Sequence, residues 1–383
     1  MRKYITRRIA QNILTFFLFL TMVYVLLDAV PGDFADLYLN DPRLTPETRA
    51  ILRSQLGLDK PVYERYVNWL GDLFKGDLGI SFSNYPRPVM DVIAERAPRT
   101  LVLFITATVL AYYVGFLIGK LLAWRRGGTV EYAVTVGGVA LYTVFLPWFA
   151  LMMIWLFAYT LGLFPIGKFL DPVLWRSAPV DANYVFFRML FSALIASLAL
   201  FFWYLYARRL DPARRSPALW LGVIAVFAAL VIYWATTGVA IFAADILRHL
   251  ILPILTLTLV NFAGVMLLTR SSMLETLRED YIMAARAKGL PESTIRDKHA
   301  ARNAMLPVAT SFVLALAFVL DGGVITETVF SWPGMGLTLL TAAQVQDVPM
   351  VIGALVFTAT LALTAHLIAD VLYAFLDPRI RYS

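Results

Sequence analysis

Long apolar runs recur along the whole chain with almost no charge inside them. Runs of about twenty residues or more, coiled as helices, match the hydrocarbon core of a bilayer. The chain has 383 residues, 60% of them hydrophobic and only 15% charged. Its mean hydropathy of +0.71 lies far above that of a soluble domain. The expected class is therefore all-α, a polytopic membrane protein.

The runs predict eight spans, with both ends of the chain in the cytosol. The first covers about Ile9 to Val30, behind Arg2, Lys3, Arg7 and Arg8, and lacks a small-residue cleavage site, so it reads as an anchor. A mixed polar segment follows outside the membrane, and Pro61 to Lys75 within it predicts an amphipathic helix carrying Val62, Tyr66, Trp69, Leu70 and Leu73 on one face. The second span, about Thr100 to Trp124, ends at Arg125-Arg126. The third, about Val130 to Leu161, has Pro147 as its expected kink, and 162–186 reads as an external loop. A pair at about 187–207 and 217–240 flanks Arg208, Arg209, Arg214 and Arg215. The last three spans run from about His249 to Thr269, Leu306 to Val329, and Met350 to Leu376, with an external Gly- and Pro-rich connection between Ser331 and Pro349. More than half of the 33 Lys and Arg then fall in short cytosolic segments, so the net charge of +7 calls for no nucleic acid. The organisation expected is 1–32 (first span), 33–98 (external segment), 99–186 (two spans and a loop), 187–240 (the pair) and 241–383 (the last spans with a cytosolic loop, 271–306).

Little in the chain suggests covalent chemistry. It has no Cys, and its three His (His249, His299 and His366) are too scattered for a visible metal site. Neither a His-Glu-x-x-His motif nor a Gly-x-Ser-x-Gly elbow occurs. The run Gly162 to Phe169 approaches a phosphate-binding loop, but it lacks the Ser or Thr for magnesium and follows a membrane helix rather than a strand. Gly115 and Gly119 form a small-xxx-small pattern open to two readings, packing inside the subunit or contact with another. Asp321, Glu327, His366 and Asp370 lie in or near the last two spans, where ionisable groups face a cavity, a partner or the interface. An ion-coupled carrier would use such groups and defines the rival class of transporter.

The polar loop between the sixth and seventh spans is the most patterned segment. Asp280 to Lys288 predicts one helix, broken by Gly289-Leu290-Pro291, and a second begins with Glu292 and Ser293 in its first turn. Leu277, Tyr281, Ala284 and Ala285 fall on one face by helical spacing, low enough for a partner's backbone to come close. A solvated hairpin would explain the alternating charges, but not the alanine face or the break.

Here the residues reach a family. Ala284-Ala285 with Gly289, followed by Arg302-Asn303-Ala304-Met305-Leu306-Pro307, resembles the Glu-Ala-Ala loop of binding-protein-dependent ABC importer permeases. The closest likeness is to the B-type permease of the dipeptide/oligopeptide group. Ala29-Val30-Pro31-Gly32-Asp33, Gly57-Leu58-Asp59-Lys60-Pro61, Gly76-Asp77-Leu78-Gly79, Thr269 to Glu275, Glu327-Thr328-Val329-Phe330 with Pro333-Gly334-Met335-Gly336, and Leu376 to Arg381 resemble that group in the same order. Two departures stand out. Met283 occupies the family's Glu position, with Glu279 and Asp280 just upstream, and 187–240 reads as a pair inserted into a core of six spans.

The resemblance implies a type I ABC importer permease fold, with no covalent chemistry and no cofactor in this chain. ATP and magnesium would be held by two cytosolic ATPase subunits. A second, homologous permease would complete the pathway through the lipid bilayer, and an external solute-binding protein would deliver peptides, oligosaccharides or similar solutes. ATPase coupling would fall to Glu279, Asp280, Tyr281, Ala284, Ala285, Arg286, Lys288, Gly289, Leu290 and Pro291, and the return of the loop to Arg302, Asn303, Leu306 and Pro307.

Overall fold

The computed structural model describes residues 2–28, 45–47, 60–125, 127–317 and 323–376. Ala29 to Asp33, Gly57 to Asp59, Arg126, Asp321 and the tail from Asp377 lie outside the described residues. The helices are α1 (Arg2–Asp28), α2 (Val62–Phe74), α3 (Val89–Trp124), α4 (Thr129–Thr143), α5 (Leu146–Met153), α6 (Ala182–Ala207), α7 (Pro212–Thr236), α8 (Ala240–Thr276), α9 (Asp280–Ala287), α10 (Ala301–Ala317), α11 (Gly323–Val329), α12 (Met335–Gln344) and α13 (Val348–Leu376). Among the described residues six helices are long and apolar enough to cross a membrane, seven if α4 and the stretch Leu146–Thr160 count as one. The expected span from Leu306 to Val329 runs through 318–322, outside the described residues, so it is not among these.

The chain divides into two compact units: Met1–Met153 with Pro253–Ser383, and Ile154–Leu252. In the first, α1, α3 and α13 share a core around Leu20, Val89, Ile93, Met350 and Ala354. The expected amphipathic helix, α2, packs along α1. Tyr66 lies 5.2 Å and Trp69 5.4 Å from the Tyr24 ring, and the Tyr66 and Thr21 hydroxyls are 2.7 Å apart. The segment before α3 is pinned to the start of α13, because the fully buried carboxylate of Asp347 accepts bonds from the Ser81 hydroxyl at 2.6 Å and from the Ser83 amide at 2.9 Å.

Two glycines settle a question the sequence leaves open. A Cβ at Gly115 would lie 2.6 Å from the Phe262 carbonyl, and one at Gly119 would lie 2.5 Å from that of Met266. The small-residue stripe of α3 thus lets the backbone of α8 approach within the same chain. The expected kink at Pro147 is instead a corner. α4 stops at Thr143, α5 starts at Leu146, and the two directions differ by 109°. Pro147 has no amide to continue the α4 ladder, which supports the stop there.

In the second unit α6 and α7 form a hairpin. Trp203 of α6 lies against Gly222 of α7, where a Cβ would collide with the indole, and its Nε1 donates to the Ala218 carbonyl at 2.8 Å. The segment before α6, read from sequence as a loop, is fixed rather than loose. Asp245 accepts from the Asp171 amide and the Trp175 indole, both at 2.9 Å, and Trp175 packs on Phe242. No helix follows Lys168 directly; the next is a short 3₁₀ turn at Leu174–Ser177, so the run from Gly162 lacks the helix start that would hold phosphate.

Candidate functional site

The loop after α8 is a rigid elbow. α8 ends at Thr276, and a turn holds Arg278 and Glu279. α9 then starts with Glu279 as its cap residue and Asp280 in its first turn, where a negative charge faces the free amides. Lys288 closes α9, and Gly289 adopts a φ of +70°. No atom crowds a Cβ at Gly289, so the position needs glycine for its backbone angle rather than for space. Pro291 caps the short helix Glu292–Thr294, which runs through a π-helical turn, Ile295–Ala300, into α10. Arg286 and Glu292 bridge the break at 3.4 Å.

One side of the elbow is sealed to its own chain. Ile282, Ala285, Ile295 and Ala300 pack with Met273 and Ala123, and Trp124, Leu277 and Leu290 lean on the same cluster. Asp297 accepts an ion pair from Lys120 of α3 at 3.0 Å, and the Arg296 guanidinium lies 6.0 Å from the Trp124 ring. Hydrogen bonding from Arg296, helped by Lys120, holds the Asp297 carboxyl down to about 2. A depressed carboxylate adds stability that is present above its ordinary value of 3.8 and is lost as pH falls through the folded value. Residues 291–300 should therefore keep their hydrogen-exchange protection from pH 7 down to 4, after correction for intrinsic rates. Protection lost already at pH 4 would contradict this pairing.

The structure divides the expected docking face. Leu277 and Ala285 turn inward, Ala285 being only 6% exposed, whereas Tyr281 and Ala284 point outward. The spacing argument carried one helical register through Arg278 and Glu279, where the helix is interrupted, and so joined residues from two helices. The outward face is Asp280, Met283, Ala284 and Ala287, with Met283 66% exposed. Arg286, Lys288, Gly289 and Pro291 are exposed beside it, and Leu290 is half-buried. Of the return residues, Asn303 donates to the Tyr281 hydroxyl at 2.6 Å, tying α10 to α9, while Arg302, Leu306 and Pro307 are exposed. Ile282 and Lys120, the two anchors of the elbow, escaped the sequence reading; Ile282 and Ala285 at i and i+3 are the signal that marks the inward side.

A second polar cluster surrounds Glu327, which is completely buried. Its carboxylate accepts from the Thr100 hydroxyl at 2.7 Å and the Leu337 amide at 2.9 Å, and Thr100 accepts from the Met335 amide at 2.7 Å. Glu327 and Thr100 thus supply α12 with the caps its own sequence lacks. Gly334 leaves room for both oxygens: a Cβ there would lie 2.4 Å from that of Thr100 and closer still to the carboxylate. Trp332, also buried, donates its indole N–H to the Arg99 carbonyl at 3.3 Å. His366, in α13, bonds to its own helix at the Ala362 carbonyl, 2.7 Å away. Glu327 and His366 thus engage separate partners.

Several bilayer-length helices with a polar elbow packed on one side against their ends have the build of a transporter's membrane subunit. Comparison with known proteins gives the family. Residues 213–382 match the binding-protein-dependent transport system inner membrane component family, and residues 1–104 match its N-terminal part. The chain is similar to the di/tripeptide transport system permease protein DppB of Pseudomonas aeruginosa, at 32% identity over 383 residues and all of both chains. It is 33% identical to the dipeptide transport system permease protein DppB of Escherichia coli and 31% identical to the oligopeptide transport system permease protein AppB of Bacillus subtilis, again over all of both chains. The chain belongs to this family of inner-membrane transport components and is a permease subunit of a binding-protein-dependent importer.

Proposed function

We propose that the chain forms half of the membrane pathway of an ATP-driven importer of short peptides, and that α9 is the handle by which the motor moves it. The observation that carries the mechanical part is the two-sidedness of the elbow. Its Ile282 side is built into the ends of α3, α8 and α10, so force applied to α9 reaches the spans without being lost in a flexible loop. Its Met283 and Ala284 side is exposed, with a small residue where a partner's backbone can approach. Two separate ATPase subunits bind ATP and magnesium, and this chain contributes no catalysis. Nucleotide must favour one state of the assembly over the other, and the packed elbow transmits that difference. A second, homologous permease completes the pathway, and an external solute-binding protein delivers the substrate.

Peptides are the substrate because the relatives matched along their whole length are peptide permeases. The bias of Lys and Arg toward the short segments that flank the spans supports a cytosolic α9 and cytosolic termini. An ion-coupled carrier is less well supported, since Glu327 serves as a cap for α12. The test is purification of the chain from its native membrane. An ABC ATPase should accompany it, and the reconstituted complex should take up dipeptides only with ATP and the solute-binding protein. Uptake driven by an ion gradient, with no ATPase bound, would refute the proposal.

A further inference from the structure

The hairpin of α6 and α7 encloses a feature that peptide transport does not explain. The two helices touch where Trp203 meets Gly222, and again where Arg188 of α6 meets Tyr233 of α7. Between these points they part around an apolar groove of about 800 Å³, narrow-walled where Ala196, Ala199 and Ala229 line it. Both helices are apolar, and only 11% and 6% of their most apolar windows are buried within the chain, so the groove lies on an exposed apolar surface of the kind that suits lipid.

Arg188 stands at one end of this groove. Its Nε donates to the Tyr233 hydroxyl at 2.7 Å and its Nη1 to the Tyr184 hydroxyl at 3.1 Å. The guanidinium also lies 5.1 Å from the Tyr233 ring centre and 5.8 Å from that of Tyr184. The two tyrosines orient the cation, but no carboxylate pairs with it among the described residues. A cation inside a spanning helix is costly unless it reaches the headgroup layer or meets an anion there. From Arg188 to Ala199 the helix axis covers about 17 Å, close to the roughly 15 Å depth of one leaflet. The groove therefore offers a fixed cation at headgroup depth above an apolar channel one acyl chain long.

We propose that this groove holds one anionic phospholipid, its phosphate on Arg188 and an acyl chain between α6 and α7. Arginine suits the task because its planar fork meets phosphate oxygens with paired donors. The lipid would fill a void that the helices themselves leave open and would make the hairpin a reader of anionic lipid. This inference does not depend on the transported solute.

The test uses the purified complex in detergent, supplied with phosphatidylglycerol or phosphatidylcholine, and counts retained lipid by native mass spectrometry. Phosphatidylglycerol should be retained preferentially. Arg188→Gln should lower its retention about tenfold, the scale of one lost charge-assisted hydrogen bond, and Arg188→Lys should lower it less. Ala196→Trp, which fills the groove, should reduce retention of both lipids. A photo-crosslinker at Ile195 should capture lipid. Equal retention of the two lipids, unchanged retention in Arg188→Gln, or a polypeptide captured at Ile195 would each overturn the proposal. If Ala196→Trp fails to assemble, the Arg188 variants decide the matter.

Discussion

Gly336→Ala is expected to abolish transport, although it adds a single methyl group. A Cβ at this position would lie 2.5 Å from the Val324 amide nitrogen and 2.6 Å from the Gly323 carbonyl carbon. These are backbone atoms, so no rotamer change relieves the clash, and α11 and α12 must separate. Overpacking of this kind costs about 1–3 kcal/mol. Separation also breaks the bond of the Leu337 amide to the Glu327 carboxylate and leaves buried polar groups unmatched, at about 1–3 kcal/mol for each group. Thermal unfolding of the purified complex and dipeptide uptake in vesicles are the readouts. Midpoint and uptake should fall together, with Glu327→Gln intermediate because it keeps the shape and one acceptor. Normal stability in Gly336→Ala would show that α12 does not depend on this approach.

Ala284→Trp and Ala285→Trp should fail in different ways. Ala284 faces outward from α9, so a bulky side chain there leaves the elbow intact and blocks the seat of the handle. The expected result is a normally assembled permease pair whose ATPase no longer responds to substrate-loaded binding protein, with uptake reduced to background. Ala285 packs against the cluster of Ile282 and Met273. Indole there overfills the core of the elbow, and residues 280–300 should lose hydrogen-exchange protection before any question of docking arises. Equal coupling in Ala284→Trp and the unaltered complex would remove α9 from the proposed role. Retained protection in Ala285→Trp would contradict the packing.

Much of this architecture was legible in the chain. The apolar runs locate α1, α6, α7 and α13 closely and the middle of α3 and α8, because spanning length and charge exclusion act locally; α3 and α8 extend well beyond their apolar runs, to Val89 and to Ala240 and Thr276. Gly289 and Pro291 mark the break after α9 for equally local reasons of backbone angle. The illegible parts depend on partners distant in sequence. α12 lies in a stretch read as a Gly- and Pro-rich connection, since its amides are capped by Glu327 and Thr100 rather than by a neighbour. Gly115 and Gly119 fit two interfaces equally well until α8 is seen against them. In the candidate site the helix, its break and the return were legible, and which face of α9 is buried was not. Arg278 and Glu279 interrupt the helix without Gly or Pro, so a spacing rule crosses them unaware.

The central claim, that the exposed side of α9 is gripped by a separate motor while its other side is fixed to the spans, has a direct test. The chain contains no cysteine, so single thiols can be placed at will. In the assembled complex, a thiol in Met283→Cys should crosslink to the ATPase subunit through a short bifunctional reagent, and one in Ile282→Cys should not. A thiol at position 283 that reacts with a bulky hydrophilic maleimide as fast in the complex as in the isolated chain, and yields no crosslink, would contradict the account.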